Sequence, residues 1–235
     1  MLFYISHMVS DIELYTFRRD MPEDFRDTTI ILIDTHNFTT TAIEALSNGA
    51  KEVVPLTSIK GGVPKRVSFL AGDSNTKIDN HPKYMTKENV KNEYVGIDSR
   101  NGSSAVHEIR NRTKQNVDVY LASLTNSPSI ASQVRKKESI TFVLAGSDGN
   151  IPPEDIITMQ CIYQCLYSDL NELNSVCKIY EKLYDMFVLN IYDAIYKDKT
   201  EVGIFGYPEN HAITYASNIG SKSITPKMNN NGGFE

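Results

Sequence analysis

The chain of 235 residues carries 24 basic and 29 acidic side chains, so its formal net charge is -5 at pH 7. This length allows a sizeable core in one large domain or two smaller ones, and the modest acidic charge gives no reason to expect nucleic-acid binding. No apolar run approaches the length of a membrane span and residues 1–5 lack a signal-peptide layout, so we expect a soluble, cytoplasmic protein that does not bind membranes.

Three segments repeat one local pattern, in which a strand is followed by an acid, a short polar turn and a helix. The first is an aliphatic run at residues 30–33 that leads directly into Asp34. The second ends at Asp98, and the third, which is looser, passes through Asp148 to a helix near Glu154. Four aliphatic residues in a row predict a strand that is buried on both faces, which is typical of a parallel sheet.

The rest of the chain alternates between strand and helix patterns. Residues 11–27 are predicted as a charged connection; further strands are expected at 1–5, 52–56, 67–73 and 117–123, and helices near 85–90, 128–136 and 152–197. The alternation predicts an α/β protein, layered α/β/α with a largely parallel or mixed sheet. We expect one domain over residues 1–228, which could divide into two similar subdomains of about 1–115 and 116–228. The Asn- and Gly-rich residues 229–235 are predicted to be a flexible tail.

The acids at the predicted strand ends indicate a ligand site. In a parallel sheet these ends share one edge, where open α/β sheets bind ligands and where N–H groups of the following helices suit an anion. For any single copy the alternative is that Asn, Ser and Thr are only helix caps and turn formers. The long polar loop at residues 74–92 is also typical of a binding loop.

Four ordered motifs resemble those of the 2-phosphosulfolactate phosphatases of coenzyme M biosynthesis. They lie at residues 34–55 (family pattern Asp-x-x-Arg-Ala-[Ser/Thr]-Thr, then Asn-Gly-Ala), 70–73 (Ala-Gly-Glu-Arg), 101–105 (Asn-Gly-Thr-Arg-Ala) and 145–155 (Ala-Gly-Thr-Glu-Gly-Arg, then Glu-Asp). The resemblance implies an α/β/α layered fold, dependence on Mg2+ and hydrolysis of a phosphate monoester.

The chain departs from the family pattern at its arginines. Asn37, Ser74, Ser104 and Asn150 stand where the motifs carry Arg, and the family's Asp-Leu-Gly-Asn-Ser-Pro stretch is not recognisable in the loop after Asp73. Guanidinium groups suit phosphate, sulfonate and carboxylate, and each lost charge-assisted hydrogen bond costs about 1.5–3 kcal/mol. We therefore expect weak binding of phosphosulfolactate.

Three functions fit these features. The first is a Mg2+-dependent phosphatase for a less anionic ester, the second a catalytically silent family member that acts as a binding or assembly module, and the third a crevice for a polyhydroxylated or cationic ligand. The expected partner is thus a small phosphate ester or another small polar ligand. Separately, the apolar stripes of residues 152–197 are expected to cover the sheet or an interface in a homo-oligomer.

For the phosphatase, residue types assign the roles. Carboxylates suit acid–base catalysis and Mg2+, whereas amides, hydroxyls and backbone N–H groups suit phosphoryl oxygens. The predicted catalytic residues are Asp34, Asp148 and Glu154, and the predicted metal ligands are Asp34, Asp73 and Asp98. The predicted substrate-binding residues are Asn37, Thr39, Thr40, Asn101, Gly102, Ser103, Ser104, Ser147 and Asn150.

Overall fold

The computed structural model describes residues 9, 11–16, 18–60, 62–73, 76–146, 152–167 and 215–235. The strands in these ranges are β1 (Asp11–Tyr15), β2 (Phe25–Arg26), β3 (Thr29–Ile33), β4 (Glu52–Leu56), β5 (Phe69–Gly72), β6 (Tyr94–Asp98), β7 (Thr113–Gln115), β8 (Asp118–Ala122) and β9 (Ser139–Leu144). The α-helices are α1 (Phe38–Ser47), α2 (Lys87–Val90), α3 (Gly102–Arg112), α4 (Ser127–Val134) and α5 (Pro153–Tyr167). Short 3-10 helices occur at Arg18–Asp20, Pro82–Tyr84 and Leu124–Asn126.

A four-stranded parallel sheet contains the predicted aliphatic strand. Its order is β1-β9-β3-β8, so β3 has a hydrogen-bonded neighbour on each side. Every residue of β3 is buried, as expected for a central strand whose faces are both covered. The edge strand β1 was not predicted, because its charged, alternating sequence resembles a connection and its partner β9 lies far along the chain.

A second parallel sheet has the order β4-β6-β5, with β6 in its centre. A third, two-stranded ladder joins β2 and β7. Since all the ladders between named strands are parallel and α-helices follow β3, β6 and β8, the α/β prediction is confirmed. No helix in the described ranges combines the length and apolar character that a membrane crossing requires.

Two helices pack between the two larger sheets. Both α1 and α3 contact strands of each sheet, and their side chains share one apolar core with Leu32 of β3 and Ile97 of β6. The opposite face of the four-stranded sheet packs Ile31 and Phe142 against α4 and α5. The described layers therefore run helix, sheet, helix, sheet, and α1 and α3 begin where β3 and β6 end.

The chain ends differ from the prediction. Phe234 is fully buried, its N–H donates to the Val53 carbonyl at 2.8 Å, and the Val53 N–H donates back at 2.9 Å. The expected flexible tail at 229–235 is therefore wrong, because one apolar side chain in a polar segment anchors it to β4. The ladder between β3 and β8 also joins the two predicted subdomains in one sheet. The predicted strand at 1–5 and the helical residues 168–197 lie outside the described ranges.

Candidate functional site

A cavity of about 340 Å³ opens where several parallel strands end. Its walls come from the segments that follow β3, β5, β6 and β9, from the loop before α2 and from the start of α5. This is the edge at which α/β sheets bind ligands, because the helix N-termini and the polar turns meet there. Strand ends thus meet at one cavity, but β3 and β6 belong to different sheets, and of the predicted acids Asp34 lines the cavity whereas Asp98 does not.

Asp34 lies at the centre of this arrangement. Its carboxylate accepts hydrogen bonds from the backbone N–H groups of Phe38 and Gly102, the first residues of α1 and α3. Burial, followed by the nearby charges of Asp73 and Glu154, raises the pKa of Asp34 to about 7, although the two N–H groups favour the ionised form. These two helix-terminal N–H groups, which the sequence suggested for a phosphate, thus hold the protein's own carboxylate.

Gly102 is needed for this contact. A Cβ atom at this position would lie 2.5 Å from Asp34 Oδ2 and 2.5 Å from Phe38 Cβ, which is closer than carbon and oxygen atoms pack. Gly102 was predicted to bind substrate; in the structure its N–H binds Asp34, and its missing side chain allows α3 to approach α1.

Three hydroxyls that were predicted to bind substrate serve the backbone instead. Thr39 and Thr40 donate to the carbonyls of Asp34 and Thr35 at 2.7 and 2.6 Å, and Ser103 donates to a carbonyl of β6 at 2.8 Å. All three side chains are buried and none lines the cavity. The structure contradicts the prediction for them, because their hydroxyls fix the turns between strand and helix.

Two Asn residues that were predicted to bind substrate do line the cavity. Asn37 and Asn101 are the N-cap residues of α1 and α3, both line the cavity, and neither side chain makes a capping hydrogen bond. Ser104 is half-buried in the first turn of α3 and does not line the cavity, which disagrees with its predicted role. The predicted site residues Ser147, Asp148 and Asn150, and also Ser74, lie outside the described residues.

Asp73 organises the side of the cavity formed by β5 and β6. Its Oδ1 accepts from Asn80 Nδ2 at 3.1 Å and its Oδ2 from the Arg100 N–H at 3.1 Å. Asp98 is 8% exposed and does not line the cavity, and burial followed by the charge of Asp73 raises the pKa of Asp98. In the described part of the chain no group of three His, Cys, Asp or Glu side chains is placed to hold a metal. The predicted ligand set of Asp34, Asp73 and Asp98 is therefore not assembled, because Asp98 is buried and does not line the cavity.

The start of α5 adds two buried acids, Glu154 and Asp155, which are 3% and 2% exposed. The Thr35 N–H donates to Asp155 Oδ1 at 2.8 Å. Burial, then the charges of Asp34 and Glu154, raises the pKa of Asp155 well above its ordinary value. Glu154, predicted as catalytic, thus lies in the same cavity as Asp34, and Asp155 joins it without having been predicted in a role.

The loop before α2 supplies residues that the sequence analysis did not name. Asp79, Asn80 and His81 line the cavity, and Asn80 is 4% exposed. The sequence contains a signal for this part of the site. Asp79, Asn80 and Pro82 keep the order Asp, Asn, Pro of the family stretch Asp-Leu-Gly-Asn-Ser-Pro. Asp and Asn are adjacent here rather than three residues apart, which hid the similarity.

The charges of the cavity are unbalanced. Five carboxylates line it, those of Asp34, Asp73, Asp79, Glu154 and Asp155. Among the described lining residues the one Arg or Lys is Arg100. Such a site can exchange protons and attract a cation, but it repels a multiply charged anion unless a cation is bound with it.

Parallel sheets with an acidic cavity at their carboxyl edge define an α/β protein whose site is built from strand ends. A family model described as 2-phosphosulpholactate phosphatase matches residues 15–231. The chain therefore belongs to the 2-phosphosulpholactate phosphatase family, as the motifs predicted.

Proteins with similar sequences carry the name of this family. A probable 2-phosphosulfolactate phosphatase from Caldanaerobacter subterraneus subsp. tengcongensis is 26% identical over 231 residues, which cover 92% of this chain and 93% of that protein. One from Clostridium tetani is 27% identical over 177 residues, 70% of this chain and 74% of the relative. One from Thermotoga maritima is 27% identical over 146 residues, 59% and 62% of the two chains.

Proposed function

We propose that this protein is a Mg2+-dependent phosphatase that hydrolyses a phosphate monoester less anionic than 2-phosphosulfolactate. Family membership and the names of its relatives support a phosphatase. The observation that carries the narrower proposal is the charge of the cavity, whose described lining residues include five acids and one Arg. A ligand with phosphate, sulfonate and carboxylate groups would meet repulsion there rather than several arginine forks.

The donor atoms of the cavity fit Mg2+. Mg2+ prefers oxygen ligands and usually takes one or two carboxylates together with waters and substrate phosphate, so it needs no group of three protein acids. Asp34 and Asp73 both line the cavity and would hold it. Two further lining residues, Asn37 and Asn80, have buried Oδ1 atoms without a hydrogen-bond partner, which leaves additional acceptors beside these acids. When bound, Mg2+ supplies charge stabilisation for the phosphoryl oxygens.

The chain's own residues supply proton transfer and orientation. Without a metal, burial and neighbouring acids raise the pKa of Asp34 to about 7, but bound Mg2+ would hold it ionised, so its catalytic role is to hold the metal at the phosphoryl group. Glu154 and Asp155 are the acids that lie beside it, and Asp148 stays a predicted catalytic residue. The side-chain amides of Asn37 and Asn101 are not used for capping and can donate to phosphoryl oxygens.

Phosphate release from a panel of monoesters, with Mg2+ and with EDTA, tests this function. We expect release that requires Mg2+, that is slower for 2-phosphosulfolactate than for esters of neutral alcohols, and that falls at least 100-fold in Asp34→Asn. Asp11→Asn is the matched control, because Asp11 is an exposed residue of the edge strand. Absence of release from every ester would instead favour the silent binding module, to which the substituted arginine positions also point.

Mg2+ binding can be measured separately by calorimetry. We expect millimolar or tighter binding that Asp34→Asn weakens and Asp11→Asn leaves unchanged. Equal heats for the wild type and Asp34→Asn would remove Asp34 from the proposed ligands.

A further inference from the structure

We infer that Arg100 anchors the substrate phosphate, and that this single guanidinium selects monoesters whose remaining groups are neutral. The inference rests on the proposed function, since it names the substrate class for the same cavity. It assigns the anion-binding role to a residue outside the arginine positions of the family motifs.

The backbone of Arg100 is held at the cavity from two directions. Its N–H donates to Asp73 Oδ2 at 3.1 Å, which ties it to the end of β5. The preceding residue, Ser99, donates its N–H to the Leu56 carbonyl at 3.3 Å, which ties the same loop to the end of β4. Arg100 is an exposed residue of the cavity lining, so its long side chain can turn the guanidinium toward a ligand.

Charge balance makes Arg100 the natural phosphate partner. Arg100 is the one Arg or Lys among the described residues that line the cavity. The acidic residues of the lining carry carboxylates, which repel phosphate. A guanidinium binds phosphate with two parallel hydrogen bonds, and it stays charged at any pH in which the protein folds.

The position of Arg100 also explains how the motif arginine of α3 can be absent. Ser104 stands at the motif position, but it is half-buried within the helix and does not line the cavity. Arg100 lies four residues earlier, on the loop before the helix, and does line it. Asn37, which also stands at a motif arginine position, lines the cavity without a positive charge. Among the described lining residues one anion fork is therefore available, where the family motifs would provide more.

Calorimetry with inorganic phosphate at fixed Mg2+ and low salt tests the anchor. Arg100→Gln keeps the backbone hydrogen bond and should weaken phosphate binding at least tenfold, and Arg100→Lys should weaken it less because the ammonium lacks the two-pronged fork. Arg19→Gln is the control, since the Arg19 side chain is 74% exposed and does not line the cavity. Thermal melts of the three variants establish that each is folded.

The substrate class is tested in the same experiment by competition. Propyl phosphate should displace phosphate from the wild type at a lower concentration than 2-phosphosulfolactate does. Tighter binding of 2-phosphosulfolactate would overturn the selectivity, and phosphate binding that is unchanged in Arg100→Gln, or undetectable in the wild type, would overturn the anchor. Since binding is measured without turnover, a protein that binds as expected yet hydrolyses no ester would contradict the proposed function and leave the role of Arg100 supported.

Discussion

Replacement of Asp34 by Asn should change the stability of the metal-free protein in a pH-dependent way, favouring the variant more as the pH rises. Burial and the neighbouring Asp73 and Glu154 raise the pKa of Asp34 from 3.8 to about 7 in the folded state. The folded protein therefore binds this proton more tightly than the unfolded chain does. The stabilisation from protonated Asp34 is complete below about pH 4 and is lost as the pH rises to about 7.

The size of the effect follows from the pKa values. Each pKa unit corresponds to 1.36 kcal/mol, so between pH 5 and pH 8 the wild type loses about 2–3 kcal/mol of unfolding free energy from this one group. Asp34→Asn has no charge to gain and avoids that loss. Any cost from altered hydrogen bonds with Phe38 and Gly102 is present at both pH values and cancels in the comparison.

Thermal melts in EDTA at pH 5 and pH 8 measure this difference. For a chain of this size, about 2–3 kcal/mol corresponds to roughly 5–10 °C in Tm. The Tm of Asp34→Asn minus that of the wild type should therefore increase by about this amount from pH 5 to pH 8, while exposed Asp11→Asn shows no such trend. A difference that stays constant across this range would refute the reasoning, because Asp34 would then be ionised at both pH values.

Four other substitutions test specific contacts. Phe234→Ala should cost about 3–5 kcal/mol in urea denaturation, because the side chain is fully buried, whereas a mobile tail would give no change. Thr39→Val should cost about 1 kcal/mol of stability and leave KM for a phosphate ester unchanged, since its hydroxyl binds a carbonyl; a raised KM would contradict this. Asn37→Arg should improve phosphate affinity at least tenfold and Ser104→Arg should not, because only position 37 lines the cavity; equal gains would show that the lining is wrongly assigned.

The sequence predicts those parts of the fold that depend on local pattern. The aliphatic run at residues 30–33 is sufficient to indicate a buried central strand, and Asp34 follows as an acid at a strand end. The same logic locates β6 and places Asn101 before a helix. These features need only the period of the side chains and the chemistry of turns.

Features that depend on distant partners are not visible in this way. The charged strand β1 forms because β9 offers an open edge more than a hundred residues later, and Phe234 is buried because β4 accepts it. Both pairings join segments that no local pattern connects.

The orientation of the threonines is a related case. Three consecutive threonines after a strand look like a polar, ligand-facing turn. However, α1 packs between two sheets, so Thr39 and Thr40 face inward and satisfy their hydroxyls with backbone carbonyls. The phase of a helix that is covered on several sides is set by its packing partners, and the sequence of the helix alone does not reveal it.

A titration of phosphate release against Mg2+ concentration, with propyl phosphate as substrate, tests the central claim most directly. We expect no release in EDTA, a rise to saturation with added Mg2+, and half-maximal release near the Mg2+ dissociation constant from calorimetry. Release that persists in EDTA, or no release at any Mg2+ concentration, would contradict the assignment of the acidic cavity as a Mg2+-dependent phosphatase site.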